Sequence, residues 1–251
     1  MAISIKTPKD IEGLRKANHI VALALDKAQS MIAPGVSLLE IDAACEKVIL
    51  DNGAKPAFKG LYGFPNAACI SVNDVVIHGI PSDYKLKEGD IVTVDLGAKL
   101  NGYFGDSART FGVGKISAQD EALIACSKDA LYDAISFIKA GMHFKEVCAH
   151  LESFIKSRGF VPLLGFCGHG IGRSAHEEPE IPNYLEGPNP KSGPKIRNGM
   201  VFCIEPMICQ KDGNPVIDDD KWTTRSKDGL NTAHYEHCLA IINGKAEILS
   251  K

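Results

Sequence analysis

Four stretches of the chain repeat apolar residues at helical spacing, and each opens on a capping signal. Thr7-Pro8-Lys9-Asp10 offers an N-cap, a proline in the first turn and an acid three residues on, ahead of a periodic run that stops at Pro34-Gly35. Ser37 and Glu40 form a capping box for a second helix ending near Gly53. Ser117 to Asp120 opens a third helix, closing before Gly141, and His143 to Glu146 opens a fourth, closing at Gly159.

Elsewhere the pattern is strand-like. IVTVDLGAK (91–99) and YFGDSARTF (103–111) read as two strands joined at Asn101-Gly102, a two-residue turn whose central positions need positive φ. With that turn, paired residues sum to 203, so Asp95 faces Ala108 and Asp106 points to the same side of the sheet. Diagonal neighbours of this kind sit roughly 7–8 Å apart. Two aspartates there are either solvated on a wet face or gathered around something positive. MVFCIEPM (200–207) and AHYEHCLAII (233–242) read as buried strands carrying Glu205 and Glu236. A buried carboxylate needs a partner, and an ion pair with Arg109 or Arg225 is the plain alternative to a functional role.

The pattern also repeats. Residues 34–53 and 140–159 are identical at six of twenty positions, at an offset of 106. Residues 86–97 and 196–207 superpose at an offset of 110, Gly89 on Gly199 and Asp95 on Glu205. An internal duplication follows: two halves, roughly 1–112 and 113–251, each with two helices and then antiparallel strands, with a site between them. The expectation is one α+β domain with pseudo-twofold symmetry, a size that a single domain of 251 residues reaches without difficulty.

Composition changes this picture little. The chain is 45% hydrophobic and 24% charged, with a formal net charge of −3 and no basic run of the kind that binds nucleic acid or a membrane surface. Its start lacks a secretion-signal pattern, its longest apolar run (20–25) is too short to span a bilayer, and its eight cysteines form no CxxC pair. Reduced thiols and a cytoplasmic location are expected.

The candidate chemistry lies in one set of residues. A glycine-rich stretch, LLGFCGHGIGRSAHEEPEIP (163–182), carries His169 and His176, seven apart. Asp95, Asp106, His169, Glu205 and Glu236 together supply four negative charges and one imidazole, which two divalent cations would neutralise. Oxygen-rich donors with a single histidine suit Mn²⁺, Fe²⁺, Co²⁺ or Zn²⁺. A pair of such ions can activate water and polarise a carbonyl.

At this point the chain resembles the methionine aminopeptidases of the bacterial type I form. The resemblance rests on SVNDVVIHGIP (71–81), aspartates eleven apart on a hairpin, GHGIGRSAHEEP (168–179), FCIEPM (202–207) and YEH (235–237), in that order along nearly the whole chain. It implies the pita-bread fold around a central binuclear metal site. It further implies that the initiator methionine is removed from nascent proteins with a small second residue, by attack of a metal-bridging hydroxide on the scissile carbonyl. Carried over by position, Asp95 chelates one metal, Asp106 and Glu236 bridge both, and His169 with Glu205 holds the other. Glu205 also shuttles the proton, while His78 and His176 contact the substrate.

The resemblance implies a methionine pocket of Phe58, Leu61, Phe64, Cys69, His78, Ala175 and Trp222. Here the match weakens: Leu61 and Phe64 stand where related enzymes often have tyrosine, and Ala175 where they have phenylalanine, so a wider, purely apolar pocket is expected. The implied partners are nascent polypeptide N-termini and the ribosome, with no membrane or nucleic-acid site and a monomeric state. The spacing of 31 between Glu205 and Glu236 leaves no room for the helical insertion of type II enzymes. Neither a zinc-binding N-terminal extension nor the extra N-terminal domain of prolidases is expected. A proline-directed peptidase and a non-catalytic binding protein are the competing functions.

Overall fold

The computed structural model describes residues 2–251; Met1 lies outside the described residues. The four helices start where the caps predict: α1 Pro8–Met31, α2 Leu38–Asp51, α3 Ala118–Phe137 and α4 Phe144–Ser157. Thr7 Oγ1 accepts from Asp10 N–H, and the Asp10 carboxylate accepts in return from Thr7 N–H. Ser37 and Glu40 do the same for α2. Before α4 only half of this arrangement forms: Glu146 accepts from His143 N–H, while the His143 ring turns away to the Gly193 carbonyl.

The expected duplication is visible in the packing. In α2 the buried residues are Leu38, Ile41, Asp42, Cys45 and Ile49; in α4 they are Phe144, Val147, Cys148, Leu151 and Ile155. Each of the second five lies 106 positions after its counterpart. Backbone contacts repeat as well, Gly35 N–H donating to Leu86 C=O and Gly141 N–H to Ile196 C=O. Each half buries its own core, one around Leu25, Ile41 and Val94, the other around Leu131, Leu151 and Phe202. A third cluster, including Leu14, Phe104, Cys203 and Cys238, spans the seam between them.

Two larger sheets meet at that seam. One contains the hairpin Ile91–Leu100 and Tyr103–Gly112 with Ala68–Val72 and Lys55–Pro56 against it. The other runs in the order Lys245–Ile248, His237–Ile242, Val201–Ile204, Cys167–Gly170, Glu177–Pro182. The hairpin register is the one the turn dictates: Leu100 pairs with Tyr103, Asp95 with Ala108, and Asn101 and Gly102 both have positive φ.

Glu205 and Glu236 depart from expectation, for they sit at breaks between strands. The strand Val201–Ile204 stops and resumes as Met207–Cys209, and Ala233–His234 is separated from His237–Ile242. Pro206 has no N–H to continue a ladder. Glu236 instead ties its backbone to the hairpin, donating to Ala108 C=O and accepting from Ser107 Oγ. No helix among the described residues is long and apolar enough to cross a membrane.

Candidate active site

The seam brings all five expected ligands to one cavity of about 480 Å³, whose lining includes Asp95, Asp106, His169, Glu205 and Glu236. The hairpin supplies the two aspartates, the broken strands the two glutamates. His169 comes from Cys167–Gly170, where glycines on both sides let three strands close in. A Cβ at Gly168 would overlap the Cys203 carbonyl oxygen, and one at Gly170 the Glu178 carbonyl oxygen. His169 Nε2 lies 3.5 Å from Glu205 Oε1 and 3.9 Å from Asp106 Oδ2, and its Nδ1 faces the Gly170 carbonyl at 3.0 Å. That last contact places the proton on Nδ1 and leaves Nε2 as a donor to a metal.

These carboxylates have no basic side chain to balance them. Among the described residues no lysine or arginine forms an ion pair with any of the four; Arg109 pairs with Asp26 at 2.7 Å, and Arg225 with Asp74 and Asp218. Buried oxygens of Asp95 (Oδ1), Asp106 (Oδ1), Glu205 (Oε1) and Glu236 (Oε1) have no hydrogen-bond partner. Burial pushes the Asp95 carboxyl up to about 7. It pushes Asp106, Glu205 and Glu236 well above the usual carboxylate range, and the neighbouring carboxylates push in the same direction. Burial moves His169 the other way, down to about 4. A site with four orphaned anionic oxygens and a neutral imidazole fits divalent cations: their charge removes the repulsion, and each free oxygen is a ready ligand.

Phe58, Leu61, Phe64, Cys69, His78, His176 and Trp222 line the same cavity, as expected. Phe64 meets the Trp222 ring edge-on at 5.2 Å, and His78 lies 6.2 Å from that ring. His78 adopts a left-handed backbone directly after the strand Val75–Ile77, which turns its ring out of the ladder. Burial holds it neutral, down to about 4. His176 lies against His169, ring centroids 4.4 Å apart.

Ala175 is a correction. It does not line the cavity but is buried in the seam core with Leu14, Ala17 and Ile171. Tyr62 also lines the cavity, stacking on His176 at its edge. Three further residues escaped sequence reasoning. Cys203 offers its sulfur within 4.8 Å of donor atoms of Asp106, His169 and Glu236. His234 lies beside Glu205, and Met207 lines the cavity. A signal existed for all three: each is two residues from an expected ligand.

Comparison with known proteins agrees with this site. Residues 12–243 match the sequence profile of metallopeptidase family M24. The chain is 61% identical over 252 residues to a methionine aminopeptidase of Helicobacter pylori, with full coverage of both. A crystal structure of methionine aminopeptidase from Thermotoga maritima superposes with a TM-score of 0.97 at 39% identity, covering all of each chain. The prolidase of Pyrococcus furiosus superposes at 0.80 and 29% identity, covering 98% of this chain and 65% of its own. The pita-bread fold implied by the family resemblance is the fold these solved structures share with this chain.

Proposed function

The chain belongs to metallopeptidase family M24, and from that premise we infer that it is a metal-dependent aminopeptidase removing methionine from polypeptide N-termini. The observation that carries the reading is the cluster of four buried carboxylates with free oxygens and no lysine or arginine, opening directly into an aromatic pocket. We propose that Asp95, Asp106, Glu236, His169 and Glu205 would hold two divalent ions (Mn, Co, Fe or Zn). Bound there, such ions supply an acidified water and polarise the scissile carbonyl.

The chain's own residues do the rest. The methionine side chain enters between Phe64, Trp222, Cys69, Phe58 and Leu61, where sulfur–aromatic contact favours an unbranched thioether. His78 and His176 flank the scissile bond, and a neutral imidazole N–H donates to its oxygen as charge develops. Glu205, facing His169 in the same cavity, would accept a proton from the attacking water and return it to the departing amine. Met207 and Phe166 add bulk beside Glu205 and His78, so a small second side chain fits best. In this proposal residues 1–251 work as one catalytic domain and as a monomer, on chains emerging from the ribosome in the cytoplasm.

Hydrolysis of Met-Ala-Ser, Leu-Ala-Ser and Met-Leu-Ser with Mn²⁺ or Co²⁺, and after chelation, tests this. Met-Ala-Ser is expected to be cleaved well ahead of the others, and only with metal. Equal turnover of all three, or faster cleavage of an X-Pro dipeptide, would overturn the specificity.

A further inference from the structure

His234 is the most deeply buried imidazole near the centre, at 1% exposure, and neither ring nitrogen has a hydrogen-bond partner. A buried group left this way points to a partner that engages it when the site is complete. Its surroundings identify that partner. His234 Nε2 lies 3.9 Å from Glu205 Oε2, while the other oxygen of the same carboxylate, Oε1, faces His169 Nε2 at 3.5 Å. Glu205 therefore stands between two imidazoles, one on the expected metal side and one behind it.

The backbone of His234 cannot drift from this position. Its N–H donates to Thr110 Oγ1 at 2.9 Å, its carbonyl accepts from the same hydroxyl at 2.8 Å, and it pairs with Met207, two residues beyond Glu205. Thr110 belongs to the strand that carries Asp106. His234 is thus held relative to both sides of the centre. Its Nε2 faces the Glu205 carboxylate, so it is placed to act on that group.

We propose that His234 is a positioning residue for Glu205: its Nε2–H donates to Oε2 and so directs Oε1 toward His169 and the ion they share. A carboxylate movement of about 1 Å brings the pair to hydrogen-bonding distance. That bond fixes which carboxylate oxygen is left to bind metal. The inference rests on the metallopeptidase reading, since it assigns a role toward the metal that reading places at Glu205.

The test uses the purified full chain and its variants His234→Ala and His234→Gln, titrated calorimetrically with Mn²⁺. Losing a hydrogen bond to a ligand typically costs 10–100-fold in metal affinity. His234→Ala is expected to weaken by about that factor the ion held through Glu205 and to spare the other. His234→Gln, whose amide N–H reaches a similar point, is expected to restore affinity to within about threefold. Unchanged binding in the alanine variant, or no rescue by glutamine, overturns the proposal. Should the alanine variant not fold, nitrogen-15 NMR of the Zn²⁺-loaded wild-type protein decides: a proton on Nε2 supports the assignment, and a bare Nε2 refutes it. A wild-type chain that binds less than one divalent ion would instead refute the metallopeptidase reading.

Discussion

The ring of Tyr62 stacks on that of His176, centroids 5.9 Å apart and planes 18° from parallel, at the edge of the cavity. Tyr62 is 75% exposed and itself holds a left-handed backbone conformation. So exposed an aromatic ring, on a histidine proposed to face the substrate, would serve as a wall of the cleft. An aromatic pair contributes about 0.5–1.5 kcal/mol. Tyr62→Ala should therefore raise KM for methionyl peptides by about 2–10-fold with little change in kcat, and Tyr62→Phe should behave as wild type. Steady-state kinetics would count against this if kcat fell while KM held.

Asp106 is 3% exposed and is pushed up by burial, by Glu236 and by Asp95. Asp106→Asn removes one of these mutually repelling charges while keeping the shape. In the metal-free protein it should stabilise at pH 8 by about 1 kcal/mol or more, one pKa unit being about 1.4 kcal/mol. The same variant should lose the stabilisation that Mn²⁺ gives the wild type. Thermal melts with chelator and with Mn²⁺ should thus shift in opposite directions. A variant destabilised under both conditions would assign Asp106 a merely structural role.

The pH dependence of the metal-free chain follows from the same groups. Asp95, held at about 7, and Asp106, Glu205 and Glu236, held well above the usual range, keep protons that the unfolded chain has already released. The folded state then binds more protons, so stability falls as pH rises. His78, His169 and His234, held near 4, 4 and 3, act oppositely, but only below their unfolded value near 6.5. Between about pH 7.5 and 8.5, beyond the range in which the unfolded histidines still bind protons, the carboxylates act without that opposition. Chelated protein should lose about 1.4 kcal/mol per pH unit for each proton retained. Mn²⁺ competes with those protons, so loaded protein should show a flat or rising profile. Melting temperatures at three pH values in this window, with and without chelator, check both signs.

Gly168 has the Cys203 carbonyl oxygen where a side chain would begin. Because that obstacle is backbone in the adjoining strand, Gly168→Ala must push two strands apart at the His169 position. A loss of about 1–3 kcal/mol is expected, together with weaker metal binding. Chemical denaturation and calorimetry read the two effects, and a variant as stable as wild type would show that the strands can yield.

Much of this protein was legible in its sequence because the deciding physics is local. Capping at Thr7, Ser37 and Ser117 is settled within four residues, so the helix starts came out right. The Asn101-Gly102 turn fixes the register, and alternation then carries it to Asp95 and Asp106. The repeat at an offset near 106 foretold two matching halves and a seam. Family resemblance implied the roles proposed for His78 and His176, which spacing alone does not distinguish from ordinary loop histidines.

What packing decided is of another kind. Arg109 and Arg225 were reasonable partners for the buried glutamates until the fold paired them with Asp26, Asp74 and Asp218. Ala175 turned into the seam core, Tyr62 took a place at the pocket's edge, and His234 came to rest behind Glu205. Periodicity states which residues share a face of one strand or helix; it carries no information on which faces meet. Tyr62 and His176, or Thr110 and His234, are more than a hundred residues apart. Their contact exists only because two lobes close on each other, and burial of the whole seam, not any local preference, drives that closure.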